Sequence, residues 1–433
     1  MPRPLDFAYL AAAIATSPVW VPRMISTGKH RTDWPGRFGR GRTLPSSKTP
    51  RILLHAVSVG EVNAIDLLVD DLMSGEPPLE PVVATMTDTG FDRAVALFKG
   101  RCEVVRFPFD TTAANRRLLD RIRPTAVGLV ELEVWPNFLA ECRRREIPVA
   151  VVNGRLSERS FSRYRRLGPV TRWLFGSLAA VAAQDETYAD RFRAVGVEPS
   201  RVSVTGSMKW DTARIADEVP GADELATAMG IDRSQPVVVA GSTAPGEHEL
   251  LRDAMPEGVQ LLCAPRKPEW FDEAARDLTG CARRSRGDHG SSTGRFLLDT
   301  IGELRAAYGL ADIVVVGRTF VDLGGSDMIE PVALGRPTII GPDTRHFQVI
   351  AEDLVSAGGV RRCRREELSD AISLLLQDTD LRTNMIQRGR ELIRSRQGAT
   401  ASLGDLLRTL SGHRKASTAG PPSTQPAAGT SAR

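Results

Sequence analysis

Short apolar runs alternate with amphipathic stretches along most of this chain. "RILLHAV" (51–57) reads as a strand; in 61–73 the residues Val62, Ile65, Leu68, Val69 and Leu72 recur on one side of a helix. The alternation continues through strands at 81–86, 102–109, 125–131, 148–154 and 178–184, with helical patterns between, and ends in "RVSVTG" (201–206). Gly196 closes the helix before that last run, at the C′ position where a left-handed residue is favoured. These strands lack polar alternation, so both of their faces are buried. Repeated strand–helix–strand units of this kind imply a parallel sheet covered by helices. The interval 211–235 breaks the rhythm and reads as a connection between domains. A second series follows, with strands at 236–242, 259–265, 295–300, 312–317 and 337–342, and a loop rich in Arg, Gly and Ser at 284–294.

At 433 residues the chain exceeds what one hydrophobic core usually serves. The pattern divides it into an apolar segment at 1–25, a first α/β domain at 26–212, a second at 213–410, and a low-complexity tail at 411–433 that cannot bury a core. Two Rossmann-like halves joined by a connector suggest a cleft. In open parallel sheets ligands bind beyond the carboxyl ends of the strands, so the chemistry belongs just after each strand.

The apolar segment "FAYLAAAIATSPVWVP" (7–22) carries no charge and is slightly short for a bilayer span. Pro18 is expected to kink a helix there. It reads as an interfacial or short membrane anchor, as a signal peptide, or as a buried N-terminal helix. Trp20 and the basic stretch behind it favour an anchor with the main body on the cytoplasmic side. A net charge of +4 is too small to argue for nucleic acid. Arginines are nevertheless concentrated in 143–172, a pattern suited to phosphates or an anionic surface, or simply to a solvated face. The five cysteines have no CxxC spacing and the six histidines no ligand spacing, so neither a disulfide framework nor a metal site is expected.

In the second half the strand ends carry a kit for a phosphate. Gly241, Ser242 and Thr243 form a small-residue turn whose N–H groups could cradle an anion. Arg266 and Lys267 follow the next strand. Gly324 and Gly325 allow close backbone approach, and Glu330 opens a helix where it could accept ribose hydroxyls. No dinucleotide or P-loop glycine fingerprint is present. In the first half the kit is acidic. Glu61 is either a helix-capping carboxylate or a general base kept ionised by the helix dipole. Glu131 and Glu133 follow the fourth strand; Trp135 and Pro136 read as core packing and a helix opened by proline at its first position.

Taken together, "HAVSVGE" (55–61), "ELEVWPNF" (131–138), "NGRLSERSFSRYRR" (153–166), "TGSMKWD" (205–211), "GSTAPGE" (241–247), "APRKPEWF" (264–271), "DTIGELRAAYGLADIVVVG" (299–317), "IEPVALGRPTIIGP" (329–342) and "WPGRFG" (34–39) resemble the Kdo transferases. These enzymes move 3-deoxy-D-manno-octulosonic acid (Kdo) from its CMP ester to lipid A precursors. The resemblance runs from about residue 20 to 405. It implies an α/β protein of GT-B fold with two Rossmann-like domains, associated with the inner membrane through its N-terminus on the cytoplasmic face. It implies an inverting transfer that needs no cofactor and no metal. Its partners would be a CMP-activated acidic sugar, a lipid A precursor and anionic inner-membrane lipid, with no nucleic acid.

The catalytic base falls on Glu61, with Ser58, Gly60, Glu131, Glu133 and Arg155 on the acceptor side. Lys209, Gly241, Ser242, Thr243, Arg266, Lys267, Gly324, Gly325 and Glu330 fall on the donor side. Departures from the family pattern cluster on that side too. Ala244, Lys267, Ser326, Asp327 and Asp343 stand where the family usually has histidine or asparagine, and a shell so altered could hold a different donor. Alternatives are therefore a GT-B transferase with another nucleotide-sugar donor, a non-catalytic lipid-A-binding relative, or a nucleotide-sugar epimerase of similar fold.

Overall fold

The structure is a computed structural model, described here for residues 3–26 and 32–412. The tail expected at 411–433 lies, beyond Gly412, outside the described residues. The chain divides into two compact units. The first comprises Met1–Met208 together with Gly398–Arg433, and the second Lys209–Gln397.

The first unit is built on seven parallel strands: β1 (Arg51–His55), β2 (Glu80–Thr85), β3 (Glu103–Arg106), β4 (Ala126–Val130), β5 (Val149–Gly154), β6 (Ala180–Ala183) and β7 (Val202–Val204). They lie in the order β3-β2-β1-β4-β5-β6-β7. Every residue of β1 and β4 is buried, as their unbroken apolar runs require. The helix expected over 61–73 is two helices, Val59–Ala64 and Asp66–Ser74, broken at Ile65. The break keeps Val62 and Leu68 both in the core beneath β1.

The second unit repeats the plan with β8 (Val237–Thr243), β9 (Gln260–Pro265), β10 (Ala282–Arg283), β11 (Arg295–Leu297), β12 (Ile313–Val316), β13 (Thr338–Ile340) and β14 (Arg361–Arg362), in the order β10-β11-β9-β8-β12-β13-β14. The expected connection at 211–235 holds a helix, Ala222–Met229, whose Ala222, Leu225, Ala226 and Met229 enter the core of this unit. In each sheet the order reverses beside the first strand, between β1 and β4 and between β8 and β12. Those two reversals are where a doubly wound sheet opens a crevice.

The last helix, Ala399–Leu410, was expected with the second domain but packs on the first unit. Leu403 and Leu407 join the core with Ile52, Leu54 and Val69. Buried Arg408 donates to the Asp71 carboxylate at 2.8 Å and to the carbonyls of Asp71 and Pro77. At the other terminus a helix runs unbroken from Pro4 to Ser26, through Pro18 and Pro22, with no buried residue. That overturns the reading as a buried N-terminal helix.

Truncating Leu403 to alanine leaves a cavity costing about 2–5 kcal/mol. Hydrogen exchange reads where the loss falls. Amides of β4 and of helix Asp66–Ser74 should lose protection while those of β12 keep theirs; faster exchange in β12 alone would return this helix to the second unit.

Candidate active site

Both strand-order reversals gather polar residues, and the first gathers acids. β1 runs into a turn in which Ser58 caps helix Val59–Ala64. Glu61 closes a reciprocal box: its carboxylate accepts from the Val57 N–H and the Ser58 hydroxyl, both at 2.8 Å, and the Ser58 oxygen accepts the Glu61 N–H. Gly60 lies exposed in the same turn, with room for a side chain, so its backbone makes no demand for glycine.

Next to β1, strand β4 ends at Glu131, which holds φ at +59°. The Glu131 N–H donates to the Val152 carbonyl and its carbonyl accepts from Arg155 N–H, so the bend is pinned to β5. Trp135 then opens helix Pro136–Arg144 with proline at its first position, as expected.

These acids act on one another. Burial pushes Glu61 above the usual carboxylate range, and the charge of Glu131 adds to it, against the pull of the Val57 N–H and Ser58 hydroxyl. Burial, and then Glu61 and Glu131, push Glu133 up to about 7, with the Trp135 indole opposing. A six-residue helix offers a weak dipole, and burial raises the proton affinity of Glu61 against it. Arg155 stands nearby with its guanidinium donating to the Tyr188 hydroxyl at 3.3 Å.

At the second reversal the turn after β8 is braced by Glu247, which is 1% exposed. Its carboxylate accepts three backbone N–H groups, from Ala244 at 3.0 Å, Arg318 at 2.7 Å and Phe320 at 3.0 Å. Those bonds tie the end of β8 to the loop after β12. Gly241 is demanded by packing: a Cβ there would stand 2.2 Å from the buried Tyr308 hydroxyl. Ser242 holds φ at +59°, and Thr243 bonds the buried His248 ring at 3.1 Å.

Gly324 and Gly325, at φ +78° and +82°, make the expected tight turn. Their N–H groups donate to Asp343 and to the Arg318 carbonyl. The amides of Ala244, Gly324 and Gly325 thus have partners inside the protein. Arg266 is exposed, and its charge depresses the pKa of Arg318 after burial has already lowered it. Lys267 turns to solvent against Glu269 and Trp270. Glu330 pairs with Arg305 at 3.1 Å, and Lys209 lies 4.8 Å from the Phe347 ring. Ser326 is buried and Asp327 accepts from the Ile329 N–H.

Sequence reasoning missed Glu247 and Arg318. Both stand just past strands flanking the reversal, the one signal that could have found them. Backbone strain marks the same places. Outside glycine, six described residues have positive φ. Arg123 and Glu146 follow helices; Glu131, Asn153, Ser242 and Arg318 sit at the carboxyl ends of β4, β5, β8 and β12. Such conformations cost about 1–3 kcal/mol each and collect at working sites. Among the described residues no group of three His, Cys, Asp or Glu side chains is placed to hold a metal ion.

Glu133 binds its proton more tightly folded than unfolded, so its ionisation destabilises the fold as pH rises from the ordinary 4.5 through about 7. Glu133→Gln should therefore melt higher than the native chain at pH 8, by about 2–4 °C per kcal/mol recovered. The gain should shrink as pH falls toward 4.5 and vanish below it; an equal gain at pH 8 and below 4.5 would mean that charge is not its cause.

The family model described as 3-deoxy-D-manno-octulosonic-acid transferase (kdotransferase) matches residues 32–212. A 3-deoxy-D-manno-octulosonic acid transferase of Bordetella pertussis is 34% identical over 397 residues, covering 86% of this chain and 90% of that protein. One from Haemophilus influenzae is 31% identical, covering 82% and 86%. Among solved structures, a glycosyltransferase from Rickettsia africae superposes with a TM-score of 0.58 at 11% identity, covering 84% of this chain and 99% of that one. S. aureus MnaA, solved with UDP, gives 0.55 at 13%, covering 85% and 99%. These two likenesses concern the fold alone.

Proposed function

The chain belongs to the 3-deoxy-D-manno-octulosonic acid transferase family, glycosyltransferases of GT-B fold that act in lipopolysaccharide core biosynthesis, and from that premise we propose that Glu61 is the general base of an inverting transfer from a CMP-activated Kdo to a lipid A precursor. One observation carries the assignment. Glu61 is a carboxylate with raised proton affinity, held by two local donors beside two further acids at the strand-order reversal of its sheet. A base works best when its pKa approaches the operating pH. An ionised carboxylate offers about four lone-pair sites. Val57 and Ser58 engage one on each oxygen, leaving capacity to take the proton of an acceptor hydroxyl as it attacks.

Glu133, titrating near 7, can hold a proton that Glu61 does not, so the acids need not all be charged together. Glu131 shapes the bend that brings Glu133 into this group. On the donor unit the leaving CMP is a phosphate monoester whose charge grows as the sugar departs. Arg266, Arg318 and Lys209 are the cations proposed to stabilise it, on a backbone fixed by Glu247. Gly241, Ser242, Thr243, Gly324 and Gly325 shape that pocket, and Glu330 is the proposed ribose acceptor. Lys267 is drawn away to Glu269, which favours a peripheral role for it.

The exposed arginines 159, 163, 165 and 166, with Arg155 at their root, suit the phosphates of the lipid acceptor. The exposed N-terminal apolar helix suits the cytoplasmic face of the inner membrane, where such an acceptor is met.

A second reading, a different nucleotide-sugar donor, is favoured by Asp343. It replaces a usual family histidine and holds the Gly324 N–H. Ligand-dependent melting separates the two: CMP should raise the melting temperature and UDP should not. For the reaction itself, native protein mixed with CMP-Kdo and a tetraacylated lipid A precursor should yield a Kdo-bearing product by mass spectrometry. Glu61→Gln should lose about 10²–10⁴-fold in turnover while keeping its CMP-induced melting shift. Turnover within a few-fold of native, at about RT of barrier change, would remove Glu61 from the base role.

A further inference from the structure

The proposed ribose acceptor is fixed along its backbone and loose along its side chain. Glu330 stands second in helix Ile329–Ala333. Ile329, Val332 and Ala333 of that helix are buried in the core of the second unit. The Glu330 carbonyl accepts the Leu334 N–H at 3.0 Å. Its side chain, by contrast, is 37% exposed and turns about several bonds. Presenting a fixed oxygen to a ligand requires a partner that locks the rotamer.

Arg305 supplies that lock. Its Nη1 donates to Glu330 Oε1 at 3.1 Å. Arg305 lies in the first turn of helix Leu304–Leu310, which follows β11, and Glu330 in the first turn of the helix that follows β12. Both therefore stand at the carboxyl edge of the sheet, where an open parallel sheet receives its ligand. The neighbouring acids have other partners. Glu303 accepts from Arg284 at 3.0 Å and from the Thr300 hydroxyl, and Asp327 accepts the Ile329 N–H at 2.9 Å.

The same helix also reaches the end of β8. Tyr308 follows Arg305 by three residues, a spacing that puts both on one side of the helix. It is buried, and its ring and hydroxyl fill the space beside Gly241. Burial raises the proton affinity of that hydroxyl; the charges of Glu330 and Asp327 add to the rise and Arg266 opposes it. Helix Leu304–Leu310 thus meets the turn after β8 through Tyr308 and Glu330 through Arg305. An ion pair exposed to 38% and 37% contributes little to stability. What it supplies is direction. With Oε1 engaged by the guanidinium, Oε2 and the remaining lone pair of Oε1 are left to accept from hydroxyls.

We propose that Arg305 is a positioning residue of the donor site, which aims the Glu330 carboxylate at the ribose hydroxyls and so makes the site select ribonucleotides over deoxyribonucleotides. This rests on the nucleotide site and the ribose role proposed above for Glu330, and adds what orients that carboxylate. Arg305 acts through Glu330, so its removal weakens binding only where a hydroxyl is present to be bound. A residue that merely held the fold would weaken every nucleotide alike.

The test is calorimetric titration of the full chain with CMP, 2′-deoxy-CMP and 3′-deoxy-CMP. The native chain should bind CMP about 10-fold or more tightly than one of the deoxy forms, the effect of a hydroxyl bonded to a charged group. Arg305→Met should reduce that ratio to about 2–3-fold by weakening CMP alone. Arg305→Lys, which keeps a charged donor, should restore part of it. An unchanged ratio in Arg305→Met, or parallel loss of CMP and deoxy-CMP affinity in both variants, would overturn the positioning role and leave the nucleotide site standing. A native chain that binds CMP no more tightly than either deoxy form would remove the ribose role of Glu330 and this inference with it. No binding of CMP to the native chain would overturn the nucleotide site itself.

Discussion

Two carboxylates at equivalent places in the two sheets, kept from water and held by backbone N–H groups, decide what each unit can do. Glu61 lies in the turn after β1, and Glu247 in the turn after β8, each beside the strand-order reversal. Losing water raises the proton affinity of both. Their partners then separate them. Glu247 receives three N–H groups from two loops and is almost wholly enclosed, so its bonding capacity is used in joining those loops. Glu61 receives two donors, both from its own turn, and keeps part of its surface open. The same position in the fold yields a brace in one unit and a chemically available acid in the other.

Strain and charge reinforce this division. Three acids in one neighbourhood repel, and the fold accepts that cost together with a left-handed Glu131. An arrangement that raises energy twice over would relax if packing alone governed it, since β4 could end in a glycine and helix Pro136–Arg144 could begin without the acids. In the second unit the comparable cost is cationic: Arg318 is left-handed, half-buried and crowded by Arg266. One sheet edge thus gathers negative charge with raised proton affinity, and the other positive charge held near a rigid turn. Proton removal needs the first and a departing phosphate needs the second.

Much of this was legible in the sequence, because a parallel sheet writes itself as unbroken apolar runs. Strands β1–β9 and β11–β13, Glu61 at a helix start and Pro136 opening the next helix follow from local pattern, whereas the two-residue strands β10 and β14 at the sheet edges do not. What local pattern could not carry was long-range. The return of Ala399–Leu410 to the first unit depends on Leu403, Leu407 and Arg408 meeting partners more than three hundred residues away. Glu247 looks like any helix-start acid until Arg318 and Phe320 arrive from seventy residues downstream. Gly241 reads as a ligand-facing glycine, whereas its neighbour is the Tyr308 ring. The raised proton affinity of Glu61 went unread for a related reason: a dipole is visible in a sequence, but burial is not.

The anchoring of the N-terminal helix connects these observations. Asp110 is the joint. Its carboxylate accepts the N–H groups of Asn137 and Phe138, capping the helix that follows the Glu131–Glu133 bend, and it also takes the Asn115 amide and the Tyr9 hydroxyl. Asn137 in turn donates to Asp6. The lipid-suited helix is therefore fixed, through two buried polar residues, to the segment that sets the position of Glu133. A flexible tether would let the acids sit at any depth beneath a membrane. Hydrogen bonds to Asp6 and from Tyr9 hold the helix start against the beginning of helix Pro136–Arg144 and leave little such freedom. For the lipid acceptor proposed above, fixing the height of the acids relative to this helix removes part of the orientational search that such an acceptor would otherwise impose. On this view the buried Asp110 carries a positional constraint from the N-terminal helix to the segment that holds Glu133.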